Sequence, residues 1–139
     1  MFQIDCCVEI EEPTVLNAIE KVLSRAALDP RLQDRLFYIK EDEREGISDM
    51  LAETHGKGAG ELFPIIYIKL DQFKKLDPSV MVGIIAHEVA HVALHSDKEK
   101  TGLKEEQEAD QKARDWGFAD EIQVMRKLIG EATSNNRFE

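Results

Sequence analysis

The most constraining feature of the sequence is the stretch from Pro78 to Leu94, which is almost entirely apolar but carries two histidines and a glutamate near its middle. Asp77-Pro78-Ser79 is typical of a helix start, because Asp caps the first free amides and proline is tolerated in the first turn. We therefore predict a helix over about 78–94. Two imidazoles and a carboxylate in so apolar a helix would be costly to bury without a partner such as a metal ion.

The three polar residues are His87, Glu88 and His91, in the order His-Glu-Val-Ala-His. Helical spacing places the two histidines one turn apart on one face, where both rings can bind the same ion. Glu88 lies roughly 100° further around the helix, within reach of a water molecule on that ion. This is the arrangement of zincins, with two histidine ligands and a glutamate base. The alternative is a polar stripe that faces solvent and binds nothing.

A catalytic zinc takes three protein ligands and leaves one position open, so a third ligand is expected. Glu106 is our candidate, because metal ligation explains why a glutamate would point inward from a face of small and apolar side chains. The other members of that face are Ala109, Ala113 and Trp116. Asp110, one turn after Glu106, can accept a hydrogen bond from the outer nitrogen of a ligand histidine. Glu105 and Glu108 are competing ligands, and the alternative for Glu106 and Asp110 is two solvated surface acids.

A two-part pattern over residues 87–113 resembles the gluzincins, the metallopeptidase clan that contains thermolysin and the integral-membrane CAAX-prenyl proteases. The pattern consists of His87, Glu88, His91, Glu106, Ala109, Asp110 and Ala113. Without membrane spans, the chain is most similar to the short members called minigluzincins. Regulatory peptidases of the ImmA/IrrE type share the layout but usually carry Asn where this chain has Asp110. The resemblance implies that His87, His91 and Glu106 bind zinc. It also implies that Glu88 is the general base and that Asp110 supports a ligand histidine.

We predict a single α+β domain over residues 1–139, and the resemblance implies that it is zincin-like. The predicted elements are a short strand at 2–8, a helix at 13–27, a strand at 36–39, a strand at about 62–70, the metal-binding helix at about 78–94, a glutamate helix at about 103–116 that ends at Gly117, and a last helix at 119–131. The last helix is amphipathic through Ile122, Met125, Leu128 and Ile129. Residues 47–54 are ambiguous between strand and helix.

The strand at about 62–70 carries Pro64 within it or at its start, which favours either the edge of a short mixed sheet or a strand that begins at Ile65. The resemblance implies a substrate chain laid along such an edge strand, above the metal-binding helix. It also implies a Tyr or His that stabilises the oxyanion, and the candidates are Tyr67, His55 and His95. Tyr67 alternatively packs on its strand, and His95 alternatively favours the negative end of the helix dipole.

Composition excludes two classes of partner. The formal net charge is −10, from 28 acidic and 18 basic residues, whereas nucleic-acid binding and docking on anionic membranes both need clustered basic residues. Cys6 and Cys7 are the only cysteines and are adjacent, so no disulfide framework is expected and a reducing compartment is the default. No signal peptide or membrane span is recognisable. We therefore expect a cytoplasmic protein.

The expected function is a zinc-dependent endopeptidase that acts on a peptide or protein substrate. Three alternatives remain at this point: a regulatory peptidase specific for one partner protein, a non-catalytic binding module stapled by zinc, and a latent form in which a terminal segment fills the cleft. The substrate sequence and the oligomeric state are left open by the sequence.

Overall fold

The computed structural model describes residues 5–33, 35–43, 52–55, 63–95 and 102–130, which form an α+β fold. The strands are β1 (Asp5–Glu9), β2 (Leu36–Glu41), β3 (Ala52–His55) and β4 (Ile65–Ile68). The helices are α1 (Pro13–Ala26), α2 (Leu70–Phe73), α3 (Pro78–His95), α4 (Leu103–Ala113) and α5 (Ala119–Ile129). The predicted α+β class is thus confirmed. The short helix α2 was not predicted; it begins at Leu70, the last residue of the segment assigned to a strand at 62–70, and ends at Phe73.

The strands form one mixed sheet in the order β1-β2-β4-β3. β1, β2 and β4 are parallel, and β3 runs antiparallel to β4. The prediction that the strand at about 62–70 lies at an edge is therefore wrong, because β4 is paired on both sides and the edge strands of the described sheet are β1 and β3, whereas the alternative of a strand that begins at Ile65 is confirmed. The physical reason is the position of Pro64, which lies one residue before the ladder begins at Ile65. Its missing N–H interrupts no pairing, and its carbonyl accepts a hydrogen bond from Tyr38 N–H at 3.0 Å.

One face of the sheet belongs to the hydrophobic core. Phe37, Ile39, Ile66 and Ile68 are fully buried and share one cluster with apolar side chains of the helices. These positions alternate along β2 and β4, as the period of a half-buried strand requires. The helices therefore pack on this face of the sheet.

Helix α3 lies at the centre of the molecule, because all of its residues from Val80 to Ala93 are buried. It packs against α1, α4, α5 and β3. A helix that is apolar on all sides must be covered on all sides, so the composition of α3 accounts for its position. At Gly83 the backbone of α5 comes so close that a Cβ atom would lie 2.6 Å from the carbonyl oxygen of Glu121.

Helix α5 packs on α3 through a stripe that differs from the predicted one. Ile122 and Met125 are buried as expected. Leu128 is 60% exposed, so its assignment to the apolar face is wrong, and Arg126 is buried instead. Positions 122, 125, 126 and 129 follow the i, i+3, i+4, i+7 spacing of one helical face, whereas 128 lies off that face.

The end of α4 differs from the prediction of a regular helix to residue 116. The helix is regular to Ala113 and continues as a wider, π-helical turn over Arg114–Phe118 before α5 begins. Gly117 adopts a φ of 102°, a left-handed conformation that favours glycine. The predicted break at Gly117 is therefore present as a kink between α4 and α5, although the regular helix ends earlier than predicted, at Ala113.

Cys6 and Cys7 are free thiols in β1. Burial, and then the neighbouring Cys7, raise the pKa of the Cys6 thiol to about 12. In the described part of the chain, no helix combines the length and the apolar composition that crossing a bilayer requires.

Replacing Gly83 by alanine should destabilise the fold. In an open helix interior this change would stabilise by about 0.5–1 kcal/mol. Here the added methyl group would meet the Glu121 carbonyl at 2.6 Å and Met125 Cβ at 3.0 Å, and overpacking of this kind costs about 1–3 kcal/mol. Urea unfolding of Gly83→Ala beside Gly102→Ala, whose Cβ would lie 3.6 Å from its nearest neighbour, measures the difference. A Gly83→Ala protein more stable than the wild type would contradict the close contact of α3 and α5.

Asp29 should contribute stability that disappears in acid. Burial raises the pKa of its carboxyl, but hydrogen bonds from the Arg31 amide, Lys112 and Trp116 outweigh burial and lower that pKa below its ordinary value. A carboxyl with a lowered folded-state pKa stabilises fully above its unfolded pKa of about 3.9, and this stabilisation is lost as pH falls through the folded-state pKa. We expect Asp29→Asn to lose about 1–3 kcal/mol near neutral pH and to converge on wild type in acid.

Urea unfolding over a range of pH measures this prediction. The control is Asp71→Asn, since Asp71 is highly exposed and its contact with Lys74 is long, at 3.9 Å, and should change little. An Asp29→Asn deficit that is equally large at acid and neutral pH would show that the loss is not the loss of a charge.

Candidate metal centre

Three buried side chains converge where α4 crosses the middle of α3. His91 Nε2 lies 2.7 Å from Glu106 Oε2, and His87 Nε2 lies 3.2 Å from Glu106 Oε1. The two Nε2 atoms are 3.1 Å apart. All three side chains are at most 2% exposed. The structure therefore brings together the three residues that the sequence analysis proposed as ligands, and this cluster could hold a metal ion.

The competing carboxylates are used elsewhere. Glu105 Oε1 accepts a hydrogen bond from the Gly102 amide at 3.1 Å, at the start of α4. Glu108 Oε1 lies 2.9 Å from His95 Nε2. Of these neighbouring glutamates on α4, Glu106 is the one whose two carboxylate oxygens face both His87 and His91. The burial of Glu106 follows from its position on the inner face of α4, with Ala109, Asp110 and Ala113.

His87 is held from its outer side by Asp110. His87 Nδ1 lies 2.8 Å from Asp110 Oδ1. Arg126 of α5 donates to both oxygens of the same carboxylate, from Nε to Oδ2 at 2.8 Å and from Nη2 to Oδ1 at 2.9 Å. This two-pronged contact keeps Asp110 ionised, and a carboxylate can only accept, so His87 Nδ1–H is the donor. Asp110 therefore leaves Nε2 as the nitrogen of His87 that is directed at the cluster.

Arg126 is the residue at this site that sequence reasoning missed. Its side chain is buried, with 5% exposure, although arginine is rarely buried without a partner. A usable signal was present, because position 126 lies on the same helical face as Ile122, Met125 and Ile129. A cation in the middle of an apolar stripe indicates a buried anion on a facing helix, and Asp110 is that anion.

The pKa values of the two histidines shift in opposite directions. For His87, burial lowers the pKa, but hydrogen bonds to Asp110 and Glu106 and the nearby Glu88 charge outweigh burial and raise it to about 9. For His91, burial and the proximity of His87 lower the pKa to about 4, although Glu106 opposes them. The cluster thus favours one positive charge shared by its members, and a metal cation satisfies the same demand.

Glu88 is fully buried beside the cluster. Its negative charge is among the causes that raise the pKa of His87, so the two side chains interact electrostatically. It follows His87 directly on α3 and lies roughly 100° around the helix from it. Its carboxylate is therefore on α3 but on a different face of that helix from His87 and His91.

The donor set of two imidazole nitrogens and one carboxylate suits a divalent transition metal. With Asp110 accepting from the outer nitrogen of His87, three acceptor groups meet inside about 3 Å, an arrangement that is repulsive unless a proton or a cation lies among them. Comparisons with protein-family models, with curated proteins and with solved structures give no match.

The three candidates for oxyanion stabilisation have different positions. His95 Nδ1 lies 3.0 Å from His91 Nδ1, so His95 contacts the side of the His91 ring that faces away from Glu106. Tyr67 is buried on β4, and Lys40 Nζ lies 5.6 Å from the centre of its ring. The side chain of His55 lies outside the described residues. For His95 the geometry favours support of His91.

Replacing Glu106 by glutamine should strongly weaken metal binding. The amide has the same shape but lacks the negative charge and presents one oxygen instead of two. The affinity for Zn²⁺, measured by competition with a chelating dye, should fall by more than the roughly 10–100-fold that follows loss of an outer hydrogen-bond partner. Elemental analysis of the dialysed wild type should give one ion per chain.

The matched control is Glu105→Gln, which removes a charge from the adjacent position on α4 while leaving an oxygen to accept from Gly102. Its affinity for Zn²⁺ should equal that of the wild type. Equal losses in both variants would mean that overall negative charge, rather than ligation by Glu106, attracts the ion.

Proposed function

We propose that this chain is a zinc-dependent peptidase in which His87, His91 and Glu106 bind the ion and Glu88 is the general base. The observation that carries the proposal is the convergence of two imidazoles and one carboxylate, all buried, within 4.8 Å of one another. Two histidines and a glutamate form the ligand set of one class of catalytic zinc sites, in which the fourth position stays open for water or substrate.

The described residues fit a zinc ion by the chemistry of their donor atoms. His87 and His91 direct Nε2 atoms towards Glu106, and Asp110 holds the tautomer of His87 that binding requires. When bound, zinc would supply Lewis-acid chemistry, which lowers the pKa of water and polarises a carbonyl group. These features support zinc over calcium or magnesium, because those ions prefer sites made of oxygen ligands.

Glu88 would move the proton in the reaction. A general base takes a proton from the attacking water and delivers it to the leaving amine, so one carboxylate serves both steps of peptide hydrolysis. Glu88 is fully buried and its charge acts on His87, which supports a role beside the ligand pair. Its place next to His87, and off the face of the ligand pair, leaves it free of direct competition with Glu106.

The gluzincin resemblance supports the same function from the sequence. The pattern over residues 87–113 contains the two ligand histidines, the glutamate and the aspartate at the spacing of that clan, and this chain has Asp110 rather than the Asn usual in ImmA/IrrE-type regulators. A substrate chain would pair with the edge of the sheet. Because β4 is internal, β3 replaces the segment at 62–70 as the strand proposed for this pairing, since of the two edge strands β1 and β3 it is the one that pairs with β4 and packs against α3.

Deep burial of the ligands favours one second candidate, a non-catalytic module in which zinc staples α3 to α4. His87 and Glu106 are fully buried, and closed sites of this kind serve stability rather than catalysis. A latent peptidase whose cleft is filled would also bind zinc without cleaving. A regulatory peptidase specific for one partner would cleave that protein but not general peptides.

The Glu88→Gln variant separates these possibilities. It should bind Zn²⁺ with wild-type affinity but lose peptide cleavage by about 10²–10⁴-fold, which is the usual contribution of a general base. Both proteins are loaded with zinc and digested against a broad peptide library and against proteins from the source cell, with products identified by mass spectrometry.

A matched control is Glu20→Gln, which removes a charge from the exposed face of α1 and should cleave like wild type. Cleavage that survives Glu88→Gln would contradict the base assignment. Zinc binding with no cleavage of any substrate by the wild type would favour the staple or the latent form.

A further inference from the structure

The outer nitrogen of His91 is in contact with a second histidine. His95 follows His91 by one helical turn on α3, and the two Nδ1 atoms are 3.0 Å apart. The far nitrogen of His95, Nε2, lies 2.9 Å from Glu108 Oε1 on α4. The side chain of His95 is 4% exposed and that of Glu108 is 46% exposed. The side chains of His91, His95 and Glu108 therefore form a hydrogen-bonded series that leads from the cluster to the surface.

The direction of the hydrogen bonds in this series is set by Glu108, at its outer end. A carboxylate accepts and does not donate, so His95 Nε2–H donates to Glu108. A neutral imidazole then has its lone pair on the other nitrogen, so His95 Nδ1 accepts and His91 Nδ1–H donates to it. His91 in this tautomer presents the Nε2 lone pair to Glu106 and to a metal ion.

We propose that His95 is a positioning residue for His91, holding the ring in the tautomer and orientation that bind the metal, and that Glu108 fixes His95 in the same way. The inference rests on the metal binding in the proposed function. It assigns His95 a part that differs from oxyanion stabilisation, and it gives Glu108 a role other than ligation.

The series of hydrogen bonds from His91 through His95 to Glu108 is the counterpart of the series from His87 through Asp110 to Arg126, but the two series end differently. Behind His87, Asp110 is paired to a buried arginine, so its charge is fixed within the protein. Behind His91, the outer carboxylate borders a surface cavity of about 410 Å³, which is also lined by Arg31, Lys104 and Lys112 from neighbouring segments and by Asp115. The support of His91 therefore depends on one hydrogen bond to the His95 ring and a second from that ring to a half-exposed acid, and it should be weaker than the support of His87.

The test compares His95→Leu with His95→Asn. Leucine and asparagine have the same number of side-chain heavy atoms, but asparagine retains an oxygen that can accept a hydrogen bond from His91 Nδ1–H. The affinity for Zn²⁺, measured by dye competition, should fall about 10–100-fold in His95→Leu, as for loss of other outer partners of zinc ligands. His95→Asn should recover most of this loss. Circular dichroism and urea unfolding confirm that both variants are folded.

A spectroscopic measurement distinguishes positioning from a packing effect. In the zinc-loaded wild type, two-bond ¹H–¹⁵N spectra should show His91 and His87 with protonated Nδ1 and zinc-bound Nε2. In His95→Leu the Nδ1–H signal of His91 should broaden by exchange with solvent, while that of His87, which is held by Asp110, should be unchanged. Equal signals for His91 in both proteins would overturn the proposal.

Glu108→Gln supplies a second variant that changes a half-exposed residue and leaves the core intact. It should weaken Zn²⁺ binding by a smaller factor than His95→Leu, because the amide oxygen can still accept from His95. The control is Asp115→Asn, which lines the same cavity and pairs with Gln111, and it should bind like wild type. If His95→Leu binds zinc as tightly as wild type, the positioning role is wrong while the metal site stands. If the wild type binds no zinc, the proposed function fails together with this inference.

Discussion

The interaction on which the structure depends is the clamping of the His87 ring between two carboxylates of α4. Glu106 and Asp110 are one helical turn apart and contact opposite nitrogens of this ring, at 3.2 and 2.8 Å. The pitch of an α-helix is about 5.4 Å, which suits two carboxylates on either side of one imidazole. The contact fixes the register of α4 on α3, and that register also brings Glu106 to His91. A buried carboxylate among imidazoles is costly unless positive charge is present, so the same contact that orders the helices creates the demand for a cation.

Helix α5 connects this centre to the packing of the whole domain. Its carbonyl at Glu121 lies against Gly83, where α3 has no side chain, and this close approach carries Arg126 to Asp110. Gly83 and Arg126 thus act together although they are far apart in sequence. Gly83 permits the close approach of α5 to α3, and that approach places Arg126 where it neutralises Asp110. The turn at Gly117 sets the direction in which α5 returns along α3. A fault in the packing of α5 would therefore reach the candidate metal centre through Asp110, without any change in His87, His91 or Glu106.

The sequence predicted the features that depend on local spacing along one helix. It missed the features that depend on contacts between different elements of the fold. The helices α1, α3 and α4 and the shared face of His87 and His91 followed from spacing, and Glu106 was singled out from its neighbours because it shares a face with Ala109 and Ala113. The edge position of the strand at 62–70 was mispredicted, because a proline near a strand is compatible with an edge or with the residue just before an internal strand that begins at Ile65. Arg126 was missed because its burial makes sense only beside Asp110. The contact between His95 and His91 was likewise hidden, since i and i+4 histidines can share a ligand, share a proton or face solvent.

The two outer supports of the cluster differ, and the difference decides which ligand can adapt. Asp110 is held by a bidentate contact from a buried arginine, so rotation of His87 would break several charged hydrogen bonds in a region that water does not reach. His95 is held by Glu108, which is half exposed, so water can replace that contact at low cost. A catalytic zinc site must change its coordination as substrate enters and product leaves, whereas a structural site need not. If the chain cleaves peptides, the rearrangement therefore costs less on the side of His91 than on the side of His87. The rigid side would keep the ion in place, and the side that ends at the surface would permit the change in geometry that turnover requires.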